Sequence, residues 1–420
     1  MQGIMTNIHL KQRLLLLVLV VIGAASAAPS QKPINDLDTT VILIAIDGFR
    51  FDYFQKHSPA TINSLAKSGV RARWMTPSFP TKTFPNFYTV ATGLYPANHG
   101  LVENNVWDFD TLFTMSKREE VENSRWWLGE PIWVTAEKNN IRTAAMFYPG
   151  TETAIGGKHP TYWYRYDHDK PREERVDQVL RWLDLPKRER PQFITLYFHD
   201  IDTAGHDYGP NAPETYAAVQ KVDAMIERLV RGLKEREVFG KVNLILFSDH
   251  GMAETNWRNV VLVDDHIDLN DTERIIWTFE ILQIFPKPGK DDELIAKLGK
   301  ARNMRCWKKA DIPERLNYRN GKRVAPIVCS ADEGWIISSK DRYAEMLKRG
   351  GIDRPHGGHG YDNDLDSMRA MFVAHGRAFK RSFTAEAFPN VDVYELMCRI
   401  LGIEPAPNDG KLGRVKKMLR

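Results

Sequence analysis

Cysteine is scarce in this chain, and its spacing excludes two classes of site. The 420 residues contain three cysteines, Cys306, Cys329 and Cys398. No Cys-x-x-Cys pair occurs, so the sequence supports neither a thiol redox motif nor a zinc ribbon. An odd number leaves one thiol over, and Cys306 with Cys329 is the pair closest in sequence.

Neither positive nor negative residues are in large excess. Lys and Arg together number 58 and Asp and Glu number 54, which gives a formal net charge of +4. So small an excess argues against binding to a nucleic-acid duplex through its phosphates. Hydrophobic residues make up 43% of the chain, which excludes an intrinsically disordered protein. The length allows two or three domains, or one large α/β domain with insertions.

The first 27 residues have the layout of a secretory signal peptide. Lys11 and Arg13 precede an apolar run from Leu14 to Ile22, and small residues follow as far as Ala27. This run is shorter than the roughly 20 apolar residues that span a bilayer. We predict cleavage after Ala27 and export, to the periplasm in a Gram-negative bacterium and otherwise to the medium. No stable membrane anchor is expected after cleavage; an uncleaved anchor is the alternative. The sequence does not give the oligomeric state.

Continuously apolar runs alternate with amphipathic segments along the chain. The apolar runs are typical of strands buried on both faces of a sheet, and they are Val41–Ile46, Phe193–Phe198, Val242–Phe247 and Met371–Ala374. Amphipathic helices are predicted over Pro213–Arg236 and Val391–Ile403. The alternation predicts an α/β fold, with a mainly parallel sheet and helices on both faces.

Residues 255–355 have a different pattern. Strands are predicted at Ile281–Phe285, Val324–Cys329 and Gly334–Ser338, with a short helix at Asp291–Arg302. We predict a smaller α+β insertion beside the functional site. Residues 38–254 and 356–405 then form the core domain.

Side chains of the metal-ligand type gather after the buried strands. In open α/β sheets, ligands bind outside the carboxyl ends of the strands. The candidate ligands are Asp47, Asp202, His206, Asp249, His250 and His359. Three carboxylates and three imidazoles are too many for one tetrahedral zinc, and they divide naturally over two ions. Imidazole with carboxylate suits zinc better than magnesium. Spacing alone does not separate these residues from their neighbours His199, Asp200 and His356.

A candidate nucleophile lies in the segment Pro80–Asn86. Pro85 suits the first turn of a helix, so Thr83 is expected near the N-terminal end. A hydroxyl group there would feel the positive end of the helix dipole, and a nearby metal ion would lower its pKa further. The alternative is that Thr83 merely caps the helix.

Taken together in chain order, these motifs resemble the nucleotide pyrophosphatase/phosphodiesterase family of the alkaline phosphatase superfamily, and the exported layout suits a bacterial member. The resemblance extends from about residue 40 to residue 405. The segments that carry it are Asp47-Gly48, Pro80–Asn86, Thr92–Pro96, Asp202–Pro210, Ser248–Met252 and His359–Asn363.

The resemblance implies two Zn²⁺ ions per chain and a role for each motif residue. One ion would be held by Asp47, Thr83, Asp249 and His250, and the other by Asp202, His206 and His359. Thr83 would be the nucleophile. Asn104 matches the residue that donates a hydrogen bond to a phosphate oxygen, with Asn105 as the local rival. Phe84 and Tyr197 match aromatic residues that sandwich a nucleobase, although Tyr197 could equally belong to the strand core.

The implied reaction is hydrolysis of phosphodiester or pyrophosphate bonds in nucleotides, which releases nucleoside 5′-monophosphates through a phospho-threonine. The expected partner is therefore a small nucleotide or phosphodiester. A lipid- or choline-phosphodiester hydrolase on the same two metals is the main alternative. A phosphomonoesterase is less favoured because no arginine lies beside Thr83, and a sulfatase would need Cys or Ser at that position. A non-catalytic zinc protein would not need the nucleophile motif.

Overall fold

The computed structural model describes residues 33–348, 350, 352 and 354–420, so the predicted signal peptide lies outside the described residues. The strands are β1 Val41–Ile46, β2 Val70–Ala72, β3 Met75–Thr76, β4 Asn105–Trp107, β5 Leu112–Thr114, β6 Thr143–Met146, β7 Tyr162–Trp163, β8 Phe193–Phe198, β9 Asn243–Phe247, β10 Ala253–Thr255, β11 Val260–Leu262, β12 Thr272–Trp277, β13 Ile281–Pro286, β14 Met304–Lys308, β15 Ile327–Ala331, β16 Ile336–Ser338, β17 His356–Gly358, β18 Phe372–His375, β19 Phe383–Ala385 and β20 Phe388–Pro389.

The α-helices are α1 Tyr53–Lys56, α2 Ala60–Ser68, α3 Thr83–Thr92, α4 Pro96–His99, α5 Arg118–Val121, α6 Ile132–Lys138, α7 Arg172–Leu183, α8 Asp200–Tyr208, α9 Pro213–Glu235, α10 Asp291–Leu298, α11 Lys340–Lys348, α12 Asp392–Leu401 and α13 Leu412–Val415. Short 3₁₀ helices lie at Ser124–Trp126, Val263–Asp265, Leu269–Asp271, Lys309–Asp311, Glu314–Leu316, Asp366–Met368 and Lys416–Met418.

The central sheet has the strand order β19-β2-β18-β9-β1-β8-β6-β7. From β9 to β7 every neighbouring pair is parallel. Alternate residues of β1 enter two different cores: Val41, Leu43 and Ala45 pack with α3, α6 and α12, whereas the other three residues of the strand pack with α7 and α9. The predicted α/β fold with helices on both faces of the sheet is confirmed.

The last predicted strand runs in an unexpected direction. Strand β18 is antiparallel both to β9 and to β2. It therefore interrupts the parallel order, and an apolar run in the sequence carries no information about strand direction. The predicted long helix is confirmed as α9, which ends at Glu235.

A second, four-stranded sheet lies within residues 272–331, in the order β12-β13-β15-β14, and its neighbouring strands are all antiparallel. Cys306 and Cys329 face each other across β14 and β15 and form a disulfide, while Cys398 is a buried free thiol. Strands β10 and β17 pair where the predicted insertion begins and ends. Its status as a separate domain stays a prediction.

The helices of the described residues reach 23 residues in length, in α9. None of the helices in that part of the chain combines the length and the apolar character that a bilayer crossing requires.

Candidate metal centre

Three neighbouring parallel strands deliver the candidate ligands to one edge of the central sheet. Asp47 directly follows β1, Asp249 follows β9, and α8 begins just after β8. Gly48 permits the close approach of these segments. Its φ is +69°, and a Cβ atom on it would lie 2.9 Å from the Cα of Asp202. Its backbone N–H donates to Asp249 Oδ1 at 3.2 Å.

The first cluster consists of Asp47, Asp249 and His250, all three of which are buried. His250 Nε2 lies 2.9 Å from Asp249 Oδ2 and 3.5 Å from Asp47 Oδ1. Thr83 Oγ1 is 3.3 Å from the same imidazole nitrogen. The structure thus brings together the four residues predicted for one metal ion.

The second cluster consists of Asp202, His206 and His359. Asp202 Oδ1 is 3.4 Å from His206 Nε2 and 3.6 Å from His359 Nε2, and the two nitrogens are 3.0 Å apart. The rings of His250 and His359 stack with centroids 3.5 Å apart, so the two clusters adjoin. All seven predicted metal-site residues therefore meet at one place.

Backbone carbonyls fix the orientation of the three imidazoles. The Nδ1 atoms of His206, His250 and His359 lie 3.0, 2.8 and 2.8 Å from the carbonyl oxygens of Gly357, Gly251 and Thr81. Because a carbonyl only accepts, each Nδ1 carries a proton, and Nε2 is the ring nitrogen that faces the cluster. The two Nε2 atoms of His206 and His359 lie 3.0 Å apart, close enough to bind one shared cation.

The carboxylates also fit bound cations. Asp47 Oδ1, Asp202 Oδ1 and Asp249 Oδ2 are buried and accept no hydrogen bond from any described residue. Burial, together with repulsion from the neighbouring carboxylates, raises the pKa of Asp47 and of Asp249 well above the usual range. Burial and the ring of His250 hold the pKa of His359 well below its usual value. Divalent cations would offset this concentration of negative charge and use each orphaned oxygen.

Thr83 does not act as the cap of its helix. Helix α3 begins at Thr83 itself, Lys82 occupies the N-cap position, and no side chain caps the helix. The contact of the Thr83 hydroxyl group is with His250 in the first cluster. The hydroxyl is thus available at the positive end of the helix dipole and beside the candidate ligands.

Asn104 is held beside the start of α3. Its Oδ1 accepts a hydrogen bond from the backbone N–H of Phe84 at 2.9 Å. This bond turns the Nδ2 donor group of Asn104 away from Phe84. The rival Asn105 begins β4, and its backbone N–H donates to Glu103.

A cavity of about 280 Å³ opens next to the first cluster. Both predicted stacking residues, Phe84 and Tyr197, line it. The Tyr197 hydroxyl donates to Asp47 Oδ2 at 2.6 Å, a contact to a candidate ligand that the sequence did not reveal. Tyr166 also lines the cavity, and its ring lies 6.0 Å from that of Tyr197. Sequence reasoning missed Tyr166, since no motif marks it.

Sequence spacing could not exclude His199, Asp200 and His356 as ligands, but the structure shows each in contact with residues outside the two clusters. His199 Nε2 accepts from Arg172 at 2.8 Å, and Asp200 forms ion pairs with Arg172 and Lys221. The ring of His356 stacks against Trp257 with centroids 3.7 Å apart.

A buried ion pair connects the nucleophile segment to the second sheet. Lys82 Nζ contacts Glu280 Oε2 at 2.5 Å and donates to the Thr278 carbonyl at 3.0 Å. Both charged side chains are less than one-tenth exposed. The stem of Lys82 also crosses Gly360, where a Cβ would lie 2.4 Å from Lys82 Cε. Lys82, which precedes Thr83, thus contacts both Glu280 of the second sheet and Gly360, which follows His359.

Comparison with known proteins gives consistent results. Venom phosphodiesterase CdcPDE of Crotalus durissus collilineatus is 37% identical over 94% of this chain and 48% of its own length. Ectonucleotide pyrophosphatase/phosphodiesterase family member 3 of Bos taurus is 37% identical over 90% of this chain and 44% of its own length. The chain thus spans about half the length of these curated relatives.

Solved structures agree over the whole fold. Murine ectonucleotide pyrophosphatase/phosphodiesterase 5 has a TM-score of 0.84 and 34% identity, covering 91% of this chain and all of that one. An inactive threonine-to-alanine variant of the murine protein, in complex with AMP, matches equally well. Residues 41–362 match the family described as type I phosphodiesterase/nucleotide pyrophosphatase. The chain belongs to this family.

Proposed function

We propose that this protein hydrolyses phosphodiester and pyrophosphate bonds in nucleotides, with Thr83 as the nucleophile and two zinc ions as cofactors. The observation that carries the proposal is the meeting of two ligand clusters beside one hydroxyl group at a helix N-terminus. Two metal ions about 4 Å apart suit the in-line displacement of a phosphoryl group. Imidazole and carboxylate together favour zinc among the common divalent ions.

Each ligand has a proposed assignment. Asp47, Thr83, Asp249 and His250 would hold one zinc ion, and Asp202, His206 and His359 the other. When bound, these ions supply the positive charge that phosphoryl oxygens require and lower the pKa of the Thr83 hydroxyl. The Nε2 atoms that face the clusters and the orphaned carboxylate oxygens support metal binding by these residues.

The chain's own residues carry the two displacement steps. Thr83 Oγ forms a bond to phosphorus and loses its proton while the bond to the leaving oxygen breaks on the opposite side. The leaving oxygen takes up that proton and departs as an alcohol or phosphate. Water then attacks the phospho-threonine, restores the hydroxyl group and releases a nucleoside 5′-monophosphate. Asn104 donates from Nδ2 to a non-bridging oxygen throughout. The bond from Phe84 N to Asn104 Oδ1 supports that orientation.

The nucleoside half of the substrate would occupy the cavity beside Thr83. Phe84 and Tyr197, with Tyr166, supply aromatic faces for the base. The name of the Bos taurus relative, an ectonucleotide pyrophosphatase/phosphodiesterase, and the AMP complex of the murine protein support a nucleotide substrate. Export with loss of residues 1–27, and the division into a core and a 255–355 insertion, remain part of the proposal.

A substrate panel tests the proposal. ATP and the nitrophenyl ester of thymidine 5′-monophosphate represent nucleotide substrates, glycerophosphocholine represents choline diesters, and nitrophenyl phosphate represents monoesters. We expect the highest kcat/KM on the two nucleotides, with two zinc ions per chain in the same sample. Faster turnover of glycerophosphocholine would favour the choline-diester alternative, and faster turnover of nitrophenyl phosphate would favour a monoesterase.

A further inference from the structure

A second cavity, of about 440 Å³, adjoins the metal centre. His206, His359 and Asn104 line it, whereas Asp47, Thr83 and Phe84 line the first cavity. Met115 lines both cavities, so the two adjoin. Its volume lies within the roughly 300–1,000 Å³ that is usual for small-molecule sites.

The position of this second cavity suits the leaving half of a substrate. In an in-line displacement the leaving group departs from phosphorus on the side opposite the nucleophile. Thr83 lies at the first cavity together with Asp202, whereas the two histidines of the second cluster, His206 and His359, line the second cavity. The phosphoryl half of the substrate therefore belongs to the first cavity and the leaving half to the second.

Aromatic side chains dominate the outer part of the second cavity. Trp257, Trp277 and Phe279 line it. Trp257 is backed by the parallel ring of His356 at 3.7 Å, which leaves a flat, supported surface.

Phe279 combines an unusual backbone conformation with an exposed side chain. It lies in the turn between β12 and β13 at φ +65°, and half of its surface is exposed. A bulky residue rarely adopts a positive φ because of its steric cost. Burial of the half-exposed ring does not offset that cost. The neighbouring Glu280 side chain and Thr278 carbonyl are fixed by Lys82. The turn thus presents an exposed aromatic ring on a rigid support.

Apart from the metal ions of the proposed function, the second cavity offers no surplus of positive charge. Lys82 is neutralised by Glu280, and Asp207 and Arg354 contribute one negative and one positive charge. A pyrophosphate leaving group would therefore have only the metal ions as cationic partners, and no side chain of the outer cavity would add to its binding. A neutral, flat group that stacks on aromatic rings needs no cationic partner.

We propose that the second cavity is a leaving-group subsite for a nucleoside, with Phe279 as a specificity-determining residue whose ring stacks on the leaving base. The inference rests on the proposed function and narrows it. Dinucleoside monophosphates, which release a neutral nucleoside, gain binding energy in this cavity, whereas ATP, which releases pyrophosphate, does not.

The test compares two substrates that share the same AMP half. Adenylyl-(3′→5′)-adenosine leaves adenosine, and ATP leaves pyrophosphate. The zinc-loaded full-length protein is assayed as wild type, Phe279→Asn and Phe279→Tyr. Asn tolerates a positive φ, so the turn is kept while the ring is removed. Phe109→Asn is the matched control, because Phe109 is also exposed, at φ +58°, and lines neither cavity.

We expect Phe279→Asn to lower kcat/KM for the dinucleotide about 10-fold, the effect of losing one base–aromatic stack. ATP turnover should be unchanged, Phe279→Tyr should retain wild-type selectivity, and Phe109→Asn should change neither substrate. An equal loss on both substrates, or no loss on the dinucleotide, overturns the subsite while the proposed function stands. A wild-type protein that cleaves neither substrate overturns the proposed function and the subsite with it.

Discussion

Removing the hydroxyl group of Tyr197 should weaken the metal centre while leaving its aromatic ring in place. The hydroxyl donates to Asp47 Oδ2 at 2.6 Å, and the other oxygen of that carboxylate faces the cluster. A hydrogen bond to a charged group contributes about 1.5–3 kcal/mol. Loss of a group that orients a metal ligand typically lowers metal affinity or activity by about 10- to 100-fold. Because about 1.4 kcal/mol is a factor of ten, the two magnitudes agree. We therefore expect the zinc affinity of Tyr197→Phe to fall by about 10- to 100-fold.

Zinc binding and ATP turnover, measured on the same variant, separate the two proposed roles of Tyr197: its hydrogen bond to Asp47 and its aromatic face in the cavity. The zinc dissociation constant is determined by competition with a chelator, and kcat/KM for ATP is measured at limiting and at saturating free zinc. Tyr197→Phe should bind zinc about 10- to 100-fold more weakly. Because Phe keeps the ring, the KM for ATP at saturating zinc should stay near the wild-type value.

Tyr148→Phe is the matched control. Tyr148 lines the same cavity, and its hydroxyl donates to the Phe87 carbonyl at 2.7 Å rather than to a ligand. It should lose about 1 kcal/mol of stability and keep its zinc affinity. Zinc binding by Tyr197→Phe that equals wild type would refute the role of the hydroxyl group.

Three further predictions concern stability. Burial lowers the pKa of His99 to about 3. The unfolded imidazole binds a proton below about pH 6.5 and the folded one does not, so the free energy of unfolding should fall by about 2 kcal/mol from pH 7 to pH 5 through this group. Denaturant titrations should show a smaller fall for His99→Gln, and an identical fall would contradict the assignment. Glu280→Gln removes the carboxylate that pairs with the buried Lys82 ammonium and should cost about 3 kcal/mol in urea unfolding. A cost below that of a surface pair would contradict a buried ion pair. The disulfide joins residues 23 apart. Replacing Cys306 and Cys329 by Ser should therefore lower the free energy of unfolding by about 3 kcal/mol and lower Tm. An unchanged Tm would show that the bond does not constrain the unfolded chain.

The strands, and the meeting of the candidate ligand residues at one edge of the sheet, could be predicted from the sequence for a physical reason. A strand buried on both faces must be continuously apolar, so Val41–Ile46 and Phe193–Phe198 are recognisable and their ends are known. Parallel strands share one carboxyl edge, which places the polar residues that follow them together. The approximate position of Asp47 and Asp249 then follows from strand order alone.

Other features depend on partners that are distant in sequence. Tyr197 reaches Asp47 across 150 positions, and Lys82 reaches Glu280 across 198. Hydrophobic periodicity indicates which face a residue occupies but not which side chain it meets. The antiparallel direction of β18 and the exposed ring of Phe279 likewise leave no periodic signal, because both are set by chain connections and turn geometry.

The most direct test of the account measures zinc content and ATP turnover in the same samples of wild type and Thr83→Ala. We predict two zinc ions per chain in both proteins, since six candidate ligands remain in the variant, and a kcat for Thr83→Ala lower by about 10³-fold or more. Turnover by Thr83→Ala at the wild-type rate with both zinc ions bound would contradict the assigned nucleophile, and a wild-type protein active without zinc would contradict the metal centre.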